Sequence, residues 1–466
     1  MAFLDGMISH ISNFLWTYIL IAMLIVIGVY FTFKTKFVQF RNFKEMFRLL
    51  GDGATGDKEE NSVSSFEAFC ISTASRVGTG NLAGVATAIA IGGPGAVFWM
   101  WLIALIGGAS SFIESTLAQI YKVKDGDSFR GGPAYYIEKG LKKKWMGMLF
   151  AILITICFGL VFNSVQANTI TLSLYRSFGF NKTVVGAILT ILTIAIIFGG
   201  VNRIAKVSSV LVPIMAIFYI IVALFIVVKN FSAIPSVLSM IFENAFGINE
   251  VVGGGIGAAL MQGIKRGLFS NEAGMGSAPN AAAAATVSHP VKQGFIQTLG
   301  VFTDTIIICS CTAFMILLSG APLDGSVKGI ELTQIALNNQ VGSWGGIFIS
   351  VCILLFAFSS IVGNYYYGET NIQFITDKKI YLQLYRVFVG AMVFFGSIVS
   401  MDIVWNLADV FMGLMAIVNL IAIVLLSKIA LKALEDYKNQ KRAGIKDPIF
   451  TSNSISELKD EVTEWS

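Results

Sequence analysis

Long apolar runs separated by short polar stretches fill most of this chain. A helix that crosses a bilayer needs roughly 20 mainly apolar residues. Eleven segments read as spans on that requirement: 14–33, 66–90, 93–121, 145–177, 183–200, 207–228, 251–285, 292–318, 343–368, 381–400 and 402–427. The pattern predicts an all-α polytopic membrane protein. The stretch 229–250, KNFSAIPSVLSMIFENAFGINE, is amphipathic and too polar to span, so it reads as a surface helix. Beyond 428 the chain turns charged and polar, ending ISELKDEVTEWS, which predicts a partly disordered tail.

Two segments depart from the plain apolar pattern. FCISTASRVGTGNLAGVATAIAIGG (69–93) and GLFSNEAGMGSAPNAAAAA (267–285) mix glycine with polar side chains. Non-helical backbone at membrane depth survives only where it faces protein or a watery cavity. Breaks are therefore expected at Val77–Asn81 and Ser270–Gly276. Without the first span, they fall in the first and sixth of ten remaining helices, so the two halves run through the membrane in opposite senses. Interrupted helices at matching positions of two halves point to the binding site of a secondary transporter. Close packing of small residues (Gly80, Gly84, Ala281 to Ala285) is the competing explanation. It leaves Ser72, Thr73, Ser75, Arg76, Thr79, Asn81, Asn271 and Glu272 without a reason. The organisation expected is an N-terminal helix and basic loop (1–65), a first repeat (66–229), an external amphipathic segment (230–250), a second repeat (251–427) and a cytoplasmic tail (428–466).

Composition narrows the function. Of 466 residues, 55% are hydrophobic and only 13% charged, with mean hydropathy +0.74. A soluble fold of this length could not hide that much apolar surface. Five cysteines and two histidines form no cluster that a metal or nucleophile enzyme would need, so no enzyme and no cofactor are expected. Gly78-Thr79-Gly80-Asn81-Leu82-Ala83 fits the loose dinucleotide pattern, but that fingerprint needs a βαβ unit, and FWMWLI follows at 98–103. A net charge of +5 is no nucleic-acid signal. Its distribution matters more: an external N-terminus leaves 25 of the 33 Lys and Arg in cytoplasmic loops and tail, and 4 outside. The expectation is a multi-pass protein of the cell membrane, its C-terminus inside and its first helix retained.

Four motifs carry a family resemblance: VGTGNLAGVATAI, GGPGAVFWMW, RGGPAYYIEKGL and GLFSNEAGMGSAPNAAAAA. They resemble the alanine or glycine:cation symporters, from about residue 66 to the last span. That resemblance implies the leucine-transporter fold, with one helix ahead of an inverted five-plus-five repeat. It implies sodium-coupled uptake of alanine or glycine, with glutamine preferred by some relatives. It also implies a sodium ion held by the Ala74 and Val77 carbonyls and the Ser359 and Ser360 hydroxyls. Asn81 would serve a second sodium.

Physical chemistry suggests how a zwitterion would sit. A half-helix N-terminus offers free N–H groups and a positive dipole end, so Thr79, Gly80 and Asn81 should receive a carboxylate. Carbonyls released at Phe269 and Ser270 should receive the ammonium, with Asn271 beside them. Gln166 is a polar side chain mid-span and reads as a substrate contact, with interhelical bonding as the alternative; Asn163 and Asn168 are weaker candidates. An unpaired Arg76 at this depth costs about 2.5–3.5 kcal/mol. Glu114, Glu272 or Asp304 could pair with it structurally, with gating or direct binding of the substrate carboxylate as the alternatives. Lys265 and Arg266 fall near Glu272 in sequence.

Overall fold

A computed structural model describes residues 2–55, 62–126, 128–198, 200–247, 255–458 and 461–465. Residues 248–254, where the amphipathic segment was expected to end and the second broken span to begin, lie outside them. Almost everything described is helical: α1 (2–34), α2 (Val38–Arg41), α3 (Phe43–Thr55), α4 (Ser65–Arg76), α5 (Gly80–Gly92), α6 (Gly95–Ile120), α7 (Pro133–Leu141), α8 (Lys144–Phe178), α9 (Lys182–Ile197) and α10 (Gly200–Lys229). Then follow α11 (Ile234–Ala245), α12 (Ile256–Asn271), α13 (Ala278–Ala284), α14 (Pro290–Leu317), α15 (Ile330–Val341), α16 (Trp344–Ile375), α17 (Lys379–Ile398) and α18 (Met401–Arg442). A short hairpin, β1 (Val123–Asp125) and β2 (Ser128–Arg130), joins α6 to α7.

Among the described residues, eight helices are long and apolar enough to cross a membrane: α1, α6, α8, α10, α14, α16, α17 and α18. The apolar α9 is shorter, and α4–α5 and α12–α13 are pairs of half-helices end to end. Helix α11 follows the expected amphipathic segment, while α2, α3, α7 and α15 are extra helices in polar loops where no span was expected. The half-helices sit in the core. Every residue from Ala68 to Ala90 is buried, and so is every one from Gly263 to Ala285. By contrast α10 shows lipid-like exposure, with Ile217, Phe218, Ile221, Leu224 and Phe225 all turned outward. This inversion, with polar residues inside and apolar outside, follows from a solvent of hydrocarbon chains.

The tail departs from its expectation. Helix α18 runs on to Arg442, and the chain then folds back over one end of the bundle. Phe450 N donates to the Ser288 carbonyl at 2.9 Å, and Trp465 Nε1 donates to the Gln119 carbonyl at 3.0 Å. Phe450 and Trp465 meet edge to face at 5.5 Å, and Lys122 lies 4.6 Å over the Trp465 ring. Salt bridges Lys292–Asp447, Lys142–Glu461 and Lys432–Glu457 ring this apolar plug. Charged spacing hid the anchors: Phe450, Ile455, Leu458, Val462 and Trp465 are large apolar side chains buried within an otherwise polar stretch.

Trp465→Ala removes the largest anchor, worth about 3 kcal/mol for a buried aromatic. Amide hydrogen exchange across 446–465 is expected to accelerate by roughly 100-fold in the variant. Unchanged exchange would mean that the tail is held without it.

Candidate functional site

The first break spans three residues. Helix α4 ends at Arg76, Val77 is extended (φ −79, ψ 92), and α5 opens at Gly80 with a π-wound turn, Gly80–Gly84. Several of the freed backbone groups find side chains. Thr79 N donates to Gln166 Oε1 at 2.9 Å and Thr79 Oγ1 to the same oxygen at 2.6 Å. Gly78 N donates to Asn81 Oδ1 at 2.9 Å. On the carbonyl side, Ser360 Oγ lies 2.9 Å from Ala74 O, 3.3 Å from Val77 O and 3.0 Å from Phe356 O. One hydroxyl proton thus faces three carbonyls. An oxygen-rich, donor-poor cluster of this kind suits a hard cation. Ser359 sits beside it, its own hydroxyl 2.8 Å from Phe356 O.

The second break lies slightly later than expected, because α12 continues through Phe269 and Ser270 to Asn271. Glu272 then adopts a left-handed conformation (φ 59), followed by Gly274 (φ 83) and Gly276 (φ 85). A β-carbon at Gly276 would come within 2.8 Å of Asn419 and Pro133 and 2.9 Å of Phe150, so both the conformation and the space demand glycine there. Glu114 straps this loop: Oε1 accepts from Gly274 N and Oε2 from Gly276 N, each at 3.1 Å, and Asn419 Nδ2 reaches Oε2 at 2.8 Å. Asn271 Oδ1 accepts from Ala273 N at 3.0 Å.

The two breaks touch. A β-carbon on Gly80 would lie 3.0 Å from the Phe269 ring and 3.2 Å from Ser270 Cα. Ser75 Oγ is 2.8 Å from Glu272 Oε1 and 2.7 Å from Asn364 Oδ1. Asp304, on α14, bridges both: its carboxylate accepts from Asn81 Nδ2 at 2.7 Å, Ser270 Oγ at 2.7 Å and Thr305 Oγ1 at 2.9 Å. The expected residues Ala74, Val77, Thr79, Gly80, Asn81, Gln166, Phe269, Ser270, Ser359, Ser360 and Asp304 thus line one buried region.

Charges correct one expectation. Arg76 is 2% exposed, yet among the described residues it has no ion pair. Its Nη1 donates to the Gln297 carbonyl at 3.3 Å, while Nε and Nη2 have no partner. Glu114, Glu272 and Asp304 feel its charge, but each spends its oxygens on hydroxyls, amides or backbone N–H groups. Lys265 and Arg266 pair not with Glu272 but with Asp409 on α18, at 2.7 and 2.9 Å. Asn168 bonds the carbonyls of Gly396 and Val399 at 2.9 and 2.8 Å, joining α8 to the end of α17, while Asn163 bonds Gly159 O at 2.9 Å within its own helix.

Sequence reasoning missed an aromatic and ionic cover. Phe162, Phe269 and Trp405 stack in series with centroids 4.5 and 4.7 Å apart, and the Arg266 guanidinium lies 4.5 Å over Trp405. Beyond them a cavity of about 270 Å³ opens among Gln262, Lys265, Arg266, Trp405 and Asp409. The first helix joins this cover, as Trp16 Nε1 donates to Asp409 O at 3.1 Å and Lys265 Nζ to Ser12 Oγ at 3.1 Å. The signal was present: Asp409 is an acid inside an apolar span, and Trp405 stands one turn before it.

Paired half-helices, touching at their breaks and lined with oxygen ligands in a bundle of spans, define a secondary transporter of the leucine-transporter type. Solved structures carry the same fold. MhsT in complex with L-phenylalanine aligns at TM-score 0.59 and 17% identity, over 81% of this chain and 99% of that one. A manganese transporter of Eremococcus coleocola aligns at TM-score 0.57 and 12% identity, over 84% and 92%. The chain belongs to the sodium:alanine symporter family, whose match runs from residue 1 to 452. It is a carrier and not an enzyme. Two relatives from Bacillus subtilis (strain 168) are each 57% identical: "Probable sodium/glutamine symporter GlnT", over 96% of this chain and 93% of that protein, and "Amino-acid carrier protein AlsT", over 99% and 98%. "Sodium/alanine symporter AgcS" of Methanococcus maripaludis is 36% identical over 91% and 94%.

Removing one partner of a buried ion pair leaves an uncompensated charge, a loss of about 3–5 kcal/mol. Asp409→Ala is therefore expected to lower the thermal unfolding midpoint in detergent markedly. Asp409→Leu combined with Lys265→Met and Arg266→Met should recover most of it. An Asp409→Ala protein as stable as the parent would mean that these pairs do not support the cover.

Proposed function

We propose that this chain imports a small neutral amino acid together with sodium, by alternating access, from outside the cell membrane to the cytoplasm. The carrying observation is the cluster of Ala74, Val77 and Phe356 carbonyls around one Ser360 hydroxyl, at the break whose other side presents N–H groups. Sodium takes the carbonyl side and Ser359 completes its ligands. The substrate carboxylate takes the N–H side at Thr79, Gly80 and Asn81, in exchange for the Gln166 side-chain oxygen. The ammonium lies against the last carbonyls of α12, at Phe269 and Ser270, beside Asn271. Asn81 and Asp304 hold a second sodium between the breaks. Arg76, Glu114 and Glu272 set the charge and shape of the moving half-helices.

The half-helix pairs and α9 bring the spans to eleven, as one helix followed by an inverted five-plus-five repeat. The basic residues favour an external N-terminus and a cytoplasmic tail. Alanine or glycine is the first reading for the substrate, supported by the tight closure of Phe269 over Gly80. Glutamine is the second, favoured by the name of a relative at 57% identity. Uptake into proteoliposomes, with and without a sodium gradient, decides between them by competition among glycine, alanine and glutamine. Ser359→Ala combined with Ser360→Ala should raise the sodium concentration for half-maximal uptake at least tenfold. Sodium-independent uptake in the parent protein would end the reading.

A second experiment separates two ways of holding the carboxylate. Arg76→Gln should leave alanine affinity within a few-fold while slowing turnover, and amino-acid amides should compete poorly. A loss of a hundredfold or more in affinity (~2.7 kcal/mol) in a folded, sodium-binding variant would assign the carboxylate to Arg76 instead.

A further inference from the structure

A second polar cavity, of about 300 Å³, lies far from the breaks, where α2 and α3 meet the end of α18. Arg41, Asn42, Lys438, Lys441 and Arg442 line it, with Glu45 and Tyr437 at its base. Glu45 is already committed. Arg48 bonds it at 2.7 and 2.9 Å, Tyr437 Oη at 2.5 Å, and Lys441 lies 3.2 Å away. Arg48 above all, helped by Tyr437 and Lys441, holds its carboxyl down at about 2. Arg41, Lys438 and Arg442 have no ion pair among the described residues, and Lys36 adds a fourth positive charge acting on Lys438. Like charges gathered in one concavity repel each other unless an anion joins them.

The surroundings indicate which anion. Helix α1 ends at Lys34, and the chain turns through two left-handed residues, Lys36 (φ 58) and Phe37 (φ 59). Phe33, Phe37, Phe40, Phe43 and Phe47 all expose their rings over this same stretch, at 65, 41, 49, 43 and 53%. Phenylalanine has no polar tip, so exposed rings at the end of a span are hidden from water by lipid acyl chains, and basic pockets beside helix ends take anionic lipid headgroups. The rings flank Arg41 and Asn42 in sequence, so the basic pocket adjoins an apolar surface suited to acyl chains.

We propose that this pocket binds the phosphodiester headgroup of an anionic membrane lipid, with Arg41, Lys438 and Arg442 on the phosphate and the phenylalanine rings against the acyl chains. The site is independent of the transport reading.

Native mass spectrometry of the purified protein, with phosphatidylglycerol or phosphatidylcholine vesicles added, tests it. The parent should retain one phosphatidylglycerol with at least a tenfold preference. Arg41→Gln/Lys438→Gln/Arg442→Gln should reduce that preference to within twofold. Lys143→Gln/Lys378→Gln/Lys428→Gln, losing the same charge from exposed positions elsewhere, should keep it. Should the triple variant fail to fold, Arg41→Gln and Lys438→Gln alone must each lower the preference at least threefold. Equal retention by the pocket and control variants overturns the proposal. So does displacement of the lipid by glycerol 3-phosphate or inorganic phosphate at similar concentration, which would make the ligand a soluble phosphate.

Discussion

Backbone polar groups cannot be left bare inside a membrane, and two broken helices place several of them there. The site is arranged around that demand. Gln166 and Asn81 accept from the N–H groups of the first break, and Ser360 meets its carbonyls. Glu114 accepts from two N–H groups of the second, and Asn419 Nδ2 reaches the Gly274 carbonyl at 2.9 Å. These side chains come from α5, α6, α8, α16 and α18, so two short gaps organise most of the bundle. A helix without breaks would satisfy itself and need none of these partners.

The same demand explains where the buried charges stand. Glu114 and Asp304 look like orphan acids in the sequence, yet each serves as an acceptor for backbone or side-chain donors at a break. Hydrogen bonds from several donors can replace much of the hydration that a carboxylate loses on burial. Arg76 lacks that compensation, with two of its three nitrogens unbonded among the described residues. On the proposed alternating-access reading, a guanidinium left this way has partners to gain from a movement of the half-helices, whereas Glu114, bonded at both oxygens, has only bonds to lose.

Much of this was legible in the chain. Apolar runs gave the spans, and glycine beside polar residues gave both breaks, because a break needs permissive backbone and nearby hydrogen-bond partners at once. Residues close in sequence to a break, such as Thr79, Asn81 and Ser270, could be assigned to it directly. Residues that reach it from other helices were harder. Ser359 and Ser360 came only through the family resemblance, and Trp405, Asn419 and Asp409 were not found, since one sequence does not say which helices are neighbours. Lys265 and Arg266 lie seven and six residues before Glu272, roughly 10 Å along a helix, and it is Asp409 on another helix that they meet. The tail misled for a different reason: its anchors are sparse, and a polar average conceals five buried apolar residues.

The first break also supplies a physical route for coupling on the proposed reading. Val77 presents its carbonyl to Ser360, and Thr79, two residues on, presents its N–H to Gln166. Three residues thus carry a cation ligand at one end and an anion donor at the other. Gly78 between them has no room for a side chain, since a β-carbon there would collide with Ser360 and lie 2.8 Å from Gln166 Oε1. A sodium ion that fixes the Val77 carbonyl also fixes the peptide planes through Gly78, and with them the direction of the Thr79 N–H. A carboxylate that draws on Thr79 fixes the same planes from the other side. Each ligand lowers the ordering cost of the next, and such a gain is necessarily reciprocal. The two sites can therefore be coupled without any long pathway, because they share one short, crowded piece of backbone.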